Sequence, residues 1–308
     1  MKIAIIGAGA IGGYIGSCLV KSGADVIFIA RGQRLKQLLE QGLCIKSPLG
    51  DCSMPVVARE YPDENFAPQI VVLACRAPAL ESALTSVQSC IEENTRVLPF
   101  LNGVKHIKTL QNYFPRAHIL GGIAHGAVTL QQDGLIQHLS PFFKVIVGST
   151  SSSSDPIVES LIASLTSVGQ DARTSPDINF DLWSKYIFLT TLAGITCLMR
   201  ADIGTVMACG NGADLTRQLF KECLSVARKE GYVPDAETMK SYLTLLTEAG
   251  SNLTSSMLRD IEKGRKTEWD HILGDMLNRA RLHKLDTPIL AICTAHVECF
   301  EKRLGQMD

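Results

Sequence analysis

Lys2-Ile3-Ala4-Ile5-Ile6 runs without a break into Gly7-Ala8-Gly9-Ala10-Ile11-Gly12, and the residues that follow open a helical pattern. An apolar strand, glycines at the first, third and sixth positions of a turn, and then a helix form the context that a dinucleotide fingerprint requires. In that reading Gly7 allows the tight turn and Gly9 lets a pyrophosphate approach the backbone. Gly12 permits close packing of helix on strand, and the helix N-terminus receives the negative charge. The alternative is a glycine-rich turn that serves packing alone. The same uncharged stretch, Ile3 to Val20 behind Lys2, superficially matches a signal peptide or membrane span. Gly7, Gly9, Gly12, Gly13 and Gly16 would make a poor spanning helix, so no membrane association is expected.

Outward from this stretch, the first half alternates short β-rich runs with amphipathic helical segments, the pattern of a parallel sheet covered by helices. Strands are predicted at Lys2–Ile6, Asp25–Ala30, Gln69–Cys75 and Arg96–Phe100. A hairpin-like insertion is predicted from Gly42–Lys46 through Ser47-Pro48-Leu49-Gly50-Asp51 to Cys52–Val57. A trio near Ile119–Leu130, Leu135–His138 and Lys144–Val147 reads as antiparallel strands that finish the sheet. Ser151–Ser154 reads as a surface loop, and Asp155-Pro156 as a helix N-cap and first turn. After Thr174-Ser175-Pro176-Asp177 the character changes to nearly continuous helix, over about Ile178–Met199, Gly212–Glu230, Asp235–Ala249, Ser251–Glu262, Thr267–His283 and Pro288–Leu304. The predicted fold class is α/β, with an N-terminal Rossmann-like dinucleotide-binding domain (1–174) followed by an all-α C-terminal domain (175–308).

Composition excludes several classes. The 308 residues carry 30 Lys and Arg against 31 Asp and Glu, with 46% hydrophobic and 20% charged residues, which is an ordinary folded chain with no nucleic-acid or anionic-membrane signature. Ten cysteines are too dilute for a disulfide scaffold and lack zinc-type spacing, so no metal site is expected. They read as reduced, mostly buried thiols of a cytoplasmic protein.

The second strand ends in Ile29-Ala30-Arg31-Gly32 where an NAD-binding chain would carry a carboxylate. Arg31, with Arg34 one turn on, offers guanidinium to the 2′-phosphate of NADP, so NADP is preferred over NAD; alternatively Arg31 is a solvated charge at a strand end. Arg76 and Asn102 end two successive strands at the carboxyl edge of the sheet, where ligands sit in doubly wound folds. Taken alone, Asn102-Gly103 reads slightly better as an ordinary turn than as a site.

With Leu101-Asn102-Gly103, Gly122-Ile123-Ala124-His125, Leu182-Trp183-Ser184-Lys185, Ser255-Ser256-Met257-Leu258-Arg259-Asp260 and Lys266-Thr267-Glu268-Trp269-Asp270 added to the fingerprint and Arg31, the chain resembles the ketopantoate reductase family along essentially its full length. The resemblance implies NADPH-dependent reduction of a 2-oxo acid in a cleft between the two domains. It implies Lys185 as general acid, and Glu268 and Ser256 as substrate-holding residues with Asn102 beside them. The implied cofactor contacts are Gly7, Ala8, Gly9, Ala10, Ile11, Gly12, Arg31, Arg76, Asn102 and Glu268.

Elementary chemistry agrees. Hydride delivery to a carbonyl creates an alkoxide, which needs a proton donor with a pKa near the working pH. A lysine qualifies when burial lowers its pKa, and Lys185 lies among Trp183, Tyr186, Ile187, Phe188 and Leu189; otherwise it is a snorkelling surface lysine. Glu268 doubles as part of a capping box, Thr267-Glu268-Trp269-Asp270. Ser256, four residues after Asn252 on one helix face, could bind a carboxylate or its own preceding turn.

Against the family pattern, Leu189, Ala193 and Ile203 stand where asparagines are usual, and Arg76 where lysine is usual. The expected activity is reduction of 2-dehydropantoate to (R)-pantoate in pantothenate and coenzyme A biosynthesis. The alternatives are a paralogue acting on a more apolar 2-oxo acid, since such a site lacks paired polar groups, and a non-catalytic NADP-binding regulator. A homodimer is plausible from the apolar faces of the helical domain.

Overall fold

The computed structural model describes residues 1–63, 66–151 and 154–306, and the chain divides into two compact units. Unit one is Met1–Leu101 with His106–Ile178; unit two is Asn102–Lys105 with the chain from Asn179 onward. The division falls a few residues beyond the expected 174/175 boundary for a local reason. Ser175 N donates to Val147 O at 2.8 Å, and Ile178 packs so closely over Gly148 that a Cβ there would lie 2.9 Å from its own Cβ.

Unit one runs β1 (Lys2–Ile6), α1 (Ala10–Lys21), β2 (Asp25–Ile29), α2 (Gly32–Gln41), β3 (Leu43–Lys46), β4 (Cys52–Met54), β5 (Val57–Arg59), β6 (Ile70–Leu73), α3 (Leu80–Val87), β7 (Arg96–Pro99), α4 (Lys105–Tyr113, whose first residue groups with unit two), β8 (His118–Leu130), β9 (Ile136–Ser149), α5 (Pro156–Thr166) and β10 (Asp171–Thr174). The sheet order is β4-β3-β9-β8-β7-β6-β1-β2-β5, with β10 also pairing β9. Pairing is parallel from β8 through β7, β6, β1 and β2 to β5, and antiparallel between β3 and β4 and between β8 and β9.

Alternation along the central strands explains the two-sided burial. Ile3, Ile5, Val26, Phe28, Ile70 and Val72 enter one core with Tyr14, Ile15 and Leu19 of α1 and Leu161 of α5. Ala4, Ile6, Ile27, Ile29, Val71 and Leu73 enter the other with Leu84 and Val87 of α3 and Leu110 of α4. Successive side chains point to opposite faces, so a strand covered on both sides must be apolar throughout. Each fully buried Ile or Leu contributes roughly 1.5–3 kcal/mol, so β1 with its neighbours anchors the fold.

Three sequence expectations need correction here. The antiparallel trio is a pair, because Leu135–His138 and Lys144–Val147 belong to one strand, β9. The ladder shifts register between Gly126/Phe143 and Val128/His138, and Pro141 falls inside that unpaired bulge, where its missing N–H costs nothing. β5 and β10 are further strands that were not foreseen. The cysteines are free, but only Cys90, Cys197, Cys223 and Cys293 are buried, while Cys209 and Cys299 are exposed. The Asp155 cap is present, accepting from Ile157 N at 2.9 Å; of the serine run before it, Ser152 and Ser153 lie outside the described residues.

Unit two contains α6 (Ile178–Met199), α7 (Ile203–Ala208), α8 (Gly212–Lys229), α9 (Ala236–Leu246), α10 (Ser256–Glu262), a π-turn (Asp270–Gly274) leading into α11 (Asp275–Leu282), and α12 (Pro288–Leu304). By length and composition α6 could cross a membrane, yet 72% of its most apolar stretch is buried inside the protein, as befits a core helix that is apolar all round. Residues 251–255 are not helical as expected. Their carbonyls serve α7 instead: Ile203 N donates to Leu253 O at 3.0 Å and Gly204 N to Ser251 O at 2.7 Å. The buried Glu222 carboxylate accepts from Ile289 N (3.3 Å) and Leu290 N (2.9 Å), satisfying orphan donors in the first turn of α12 from across the unit.

Candidate active site

In unit one the glycine loop has the form that its spacing requires. Gly7 has φ +95°, and a Cβ there would lie 2.8 Å from the Ala74 carbonyl; a Cβ at Gly12 would run into the Gly7 carbonyl oxygen. Only glycine fits either place. Gly9 is the N-cap of α1 without a side-chain cap, and a Cβ on it would meet nothing within 4 Å. Ala8, Ala10 and Ile11 thus frame open space before uncapped N–H groups, a cradle that fits a dinucleotide pyrophosphate.

Arg31 is exposed at the N-cap of α2. Its guanidinium lies 5.4 Å from the Tyr61 ring centroid and donates to Ser82 Oγ at 3.1 Å, so residues after β2, β5 and β6 converge at one carboxyl edge. Arg34 does not join it, contrary to the sequence expectation. Its Nε donates to Ala8 O at 2.7 Å and its Nη1 to Gly134 O at 2.8 Å, bracing the glycine loop against the β8–β9 turn. Arg76 is exposed just beyond β6, at the start of a short 3₁₀ turn.

Asn102, Lys185, Ser256 and Glu268 all belong to unit two. Lys185 lies midway along α6, between buried Ser184 and Tyr186, and desolvation lowers its pKa from 10.5 to about 8. That is the working range of a general acid at neutral pH. Its neighbour Tyr186 is fully buried and donates to Ile272 O at 2.7 Å, with Asp275 Oδ2 at 3.2 Å. Arg279 donates to Asp275 (2.8 Å) and to Glu230 (2.6 Å), and His283 contacts Glu230 at 2.8 Å. Arg279 also lies over Trp183, which stacks on Tyr232 with ring centroids 5.3 Å apart. One connected network therefore seats the Lys185 segment of α6 against α11 and the end of α8.

Glu268 is half-buried, and its carbonyl accepts from His271 N and Ile272 N, both at 3.1 Å, so it heads the helical turn that leads into the π-turn. The expected capping box forms only in part: Thr267 Oγ1 accepts from Trp269 N at 3.3 Å, but the Asp270 carboxylate does not reach back to Thr267 N. Thr267 engages Glu301 through its backbone N and its hydroxyl, and the Asp270 carboxylate pairs with Lys105 at 2.8 Å. That ion pair fixes the segment that follows Asn102. Gly103 has φ +78°, and a Cβ there would lie 3.0 Å from His271 O. The His271 ring hydrogen-bonds the Asn102 backbone, while burial, the largest influence, lowers its pKa and favours the neutral imidazole. Asn102-Gly103 is thus a turn that is clamped, with the Asn102 side chain half-buried.

Ser256 is exposed as the first residue of α10, so it shares no helix face with Asn252. The capping role falls to Ser255, buried, which accepts from Leu258 N at 3.0 Å and meets Thr196 Oγ1 at 2.9 Å. Ala193 and Ile203 are buried and Leu189 is half-buried, so apolar groups occupy all three positions. Sequence reasoning missed Tyr186, His271, Asp275 and Arg279. The i,i+4 spacing of Asp275 and Arg279 was the one legible signal of a helical ion pair.

The sequence matches the family Ketopantoate reductase PanE/ApbA over residues 3–152 and the family Ketopantoate reductase PanE/ApbA C terminal over residues 177–301. It is 32% identical to the uncharacterized oxidoreductase YkpB of Bacillus subtilis, covering 98% of this chain and 99% of that one. It is 25% identical to the 2-dehydropantoate 2-reductase of Pyrococcus horikoshii, covering 99% of each. The fold superposes on D-mandelate dehydrogenase solved with NADH and anilino(oxo)acetate at TM-score 0.89, with 23% identity over 99% of both chains. With both halves matched in order, this chain belongs to the ketopantoate reductase PanE/ApbA family of NAD(P)-dependent oxidoreductases.

Proposed function

We propose that the protein is an NADPH-dependent 2-oxo-acid reductase that converts 2-dehydropantoate to (R)-pantoate, on the route to pantothenate and coenzyme A. When bound, the reduced nicotinamide supplies the hydride. The loop Gly7–Gly12 holds the pyrophosphate, and Arg31, steadied by Tyr61 and Ser82, faces the 2′-phosphate. Lys185 gives its proton to the carbonyl oxygen as charge develops there. Glu268, Ser256 and Asn102 bind the acid, with Arg76 bordering the nicotinamide. The observation that carries this reading is Lys185, a lysine in a core helix whose pKa desolvation lowers to about 8. Free thiols suit a reducing cytoplasm, and exposed Leu282 and Ile292 on unit two suit a homodimer contact.

Replacing Lys185 with alanine is expected to lower turnover by about 10²–10⁴-fold, the usual worth of a general acid, and to leave NADPH affinity nearly intact. Unchanged turnover would remove the assignment. A second reading, a more apolar 2-oxo acid as substrate, is favoured by Leu189, Ala193 and Ile203, which offer no hydrogen bonds to a hydroxylated substrate. The related fold of D-mandelate dehydrogenase carries an aromatic oxo acid in its complex. Steady-state comparison of 2-dehydropantoate with unhydroxylated branched and aromatic 2-oxo acids, with NADPH and NADH side by side, separates the two. A clear preference for 2-dehydropantoate disposes of the second.

A further inference from the structure

Tyr186 sits beside Lys185 on α6 but points elsewhere, because neighbouring residues on a helix diverge by about 100°. Its hydroxyl donates to Ile272 O at 2.7 Å, inside the π-turn Asp270–Gly274. Ile272 N in turn donates to Glu268 O at 3.1 Å. Two consecutive hydrogen bonds therefore connect the helix of the lysine to Glu268, which heads the turn leading into the π-turn. A π-turn shifts the ladder to i→i+5 bonds and frees carbonyls that an α-helix would use, and such turns recur at functional sites. Here the phenol donates to the Ile272 carbonyl, which also accepts from Asp275 N at the end of the π-turn. Burial, with Asp275 adding to it, keeps the phenol protonated and so a donor, and Asp275, itself buried, is held by Arg279 at 2.8 Å. Arg279 reaches Glu230 at 2.6 Å, which prevents the carboxylate from swinging away with its partner.

We infer that Tyr186 is a positioning residue: its hydroxyl, hydrogen-bonded to the Ile272 carbonyl, sets the register of the Glu268 turn against the α6 segment that carries Lys185. This rests on the roles proposed above for Lys185 and Glu268, and it adds a residue that touches neither substrate nor cofactor. Catalytic groups act only when held close to the productive geometry, and a displacement of about 1 Å costs on the order of a hundredfold. A phenol one residue from the acid and one hydrogen bond from the Glu268 turn is placed to prevent such a displacement.

A double-mutant cycle between Y186F and E268Q tests this, with kcat and KM for the 2-oxo acid, the Kd of oxamate as an unreactive oxo-acid probe by calorimetry, and the Kd of NADPH by fluorescence. Y186F is expected to lower kcat by about 10–50-fold and to weaken oxamate several-fold, with NADPH affinity within twofold of the parent. The double variant is expected to be no worse than E268Q alone, because the hydroxyl acts through that turn. A folded Y186F with parental kcat and oxamate affinity overturns the inference, and so do additive losses. Should Y186F fail to fold, the same cycle is run with D275N, which disturbs the second group facing the hydroxyl, and additivity with E268Q again overturns it. Parental activity in E268Q or K185A would instead sink the functional reading itself, so the two failures are distinguishable.

Discussion

The glycine loop of unit one is made by consecutive residues, Gly7 to Gly12, whereas the α6 segment that carries Lys185 in unit two is seated through Tyr186 on Asp275, Arg279 and Glu230, which are far from it in sequence. The loop is fixed by covalent chain geometry, since its conformation excludes every side chain at Gly7 and Gly12. The lysine, half-buried on α6, has its ammonium desolvated against the preference of the charge. The first kind of site fails when an atom is added. The second fails when a distant polar contact is removed, and it also costs the fold stability, so the two ends respond oppositely to substitution.

Gly12→Val puts a Cβ into the Gly7 carbonyl and should show the largest effect on cofactor binding: NADPH affinity lower by on the order of a hundredfold, about 3 kcal/mol, in a fluorescence titration. Affinity within threefold of the parent would mean that the loop tolerates what its geometry forbids. At the other end, Lys185→Met should stabilise. The folded pKa of about 8 lies below the ordinary 10.5, so below pH 8 the folded state pays to carry the charge. Between the two values the unfolded chain binds a proton that the folded chain does not, and parental stability rises with pH through that window. The variant lacks this dependence. It is expected to be about 2–3 kcal/mol more stable at pH 7, with the gap closing by pH 10.5, as read from urea unfolding at several pH values. Equal stability at both pH values would break the contrast between the two ends.

Legibility from sequence follows the same division. β1 and its glycine loop were readable to the residue, because strand, turn and helix there are neighbours in the chain and each glycine has a local geometric cause. The apolar setting of the Lys185 segment was readable from its neighbours, and Glu268 was singled out only through the family resemblance, but the contacts around either residue were not legible. The Tyr186 contact with Ile272 spans 86 residues, and the Glu222 cap on α12 spans 67 and 68, distances over which one sequence without relatives carries no pairing signal. Leu135–His138 and Lys144–Val147 read as separate strands because the bulge that joins them, Pro141 included, shows only against the partner strand. The Asn252–Ser256 helix failed because local periodicity cannot anticipate that 251–253 would give their carbonyls to α7.

The proposed role of Lys185 as general acid also implies a pH–rate profile. Protonation is required for reduction, so kcat with a 2-oxo acid is expected to be flat below about pH 8 and to fall about tenfold per unit above it. Oxidation of the 2-hydroxy acid needs the neutral amine and should rise through the same pH. A reductive profile flat to pH 10 would assign the proton to another group.

The smallest expected effect divides two arginines only three positions apart. Arg31 is exposed at the strand end, beside Tyr61 and Ser82, while Arg34 spends its Nε on the Ala8 carbonyl and its Nη1 on that of Gly134. Sequence spacing made them a pair around one phosphate; the hydrogen bonds make Arg34 a strut behind the loop. Arg31→Ala should therefore weaken NADPH and leave NADH nearly unchanged, because only the former carries the 2′-phosphate. Arg34→Ala releases two carbonyls and loosens the loop that both nucleotides share, so both should weaken by about five- to tenfold, near 1 kcal/mol, with kcat preserved. Titrating the two nucleotides against each variant gives four numbers. If Arg34→Ala weakened NADPH alone, the guanidinium would have to reach the phosphate in solution, and the brace between Ala8 and Gly134 would not describe how it works.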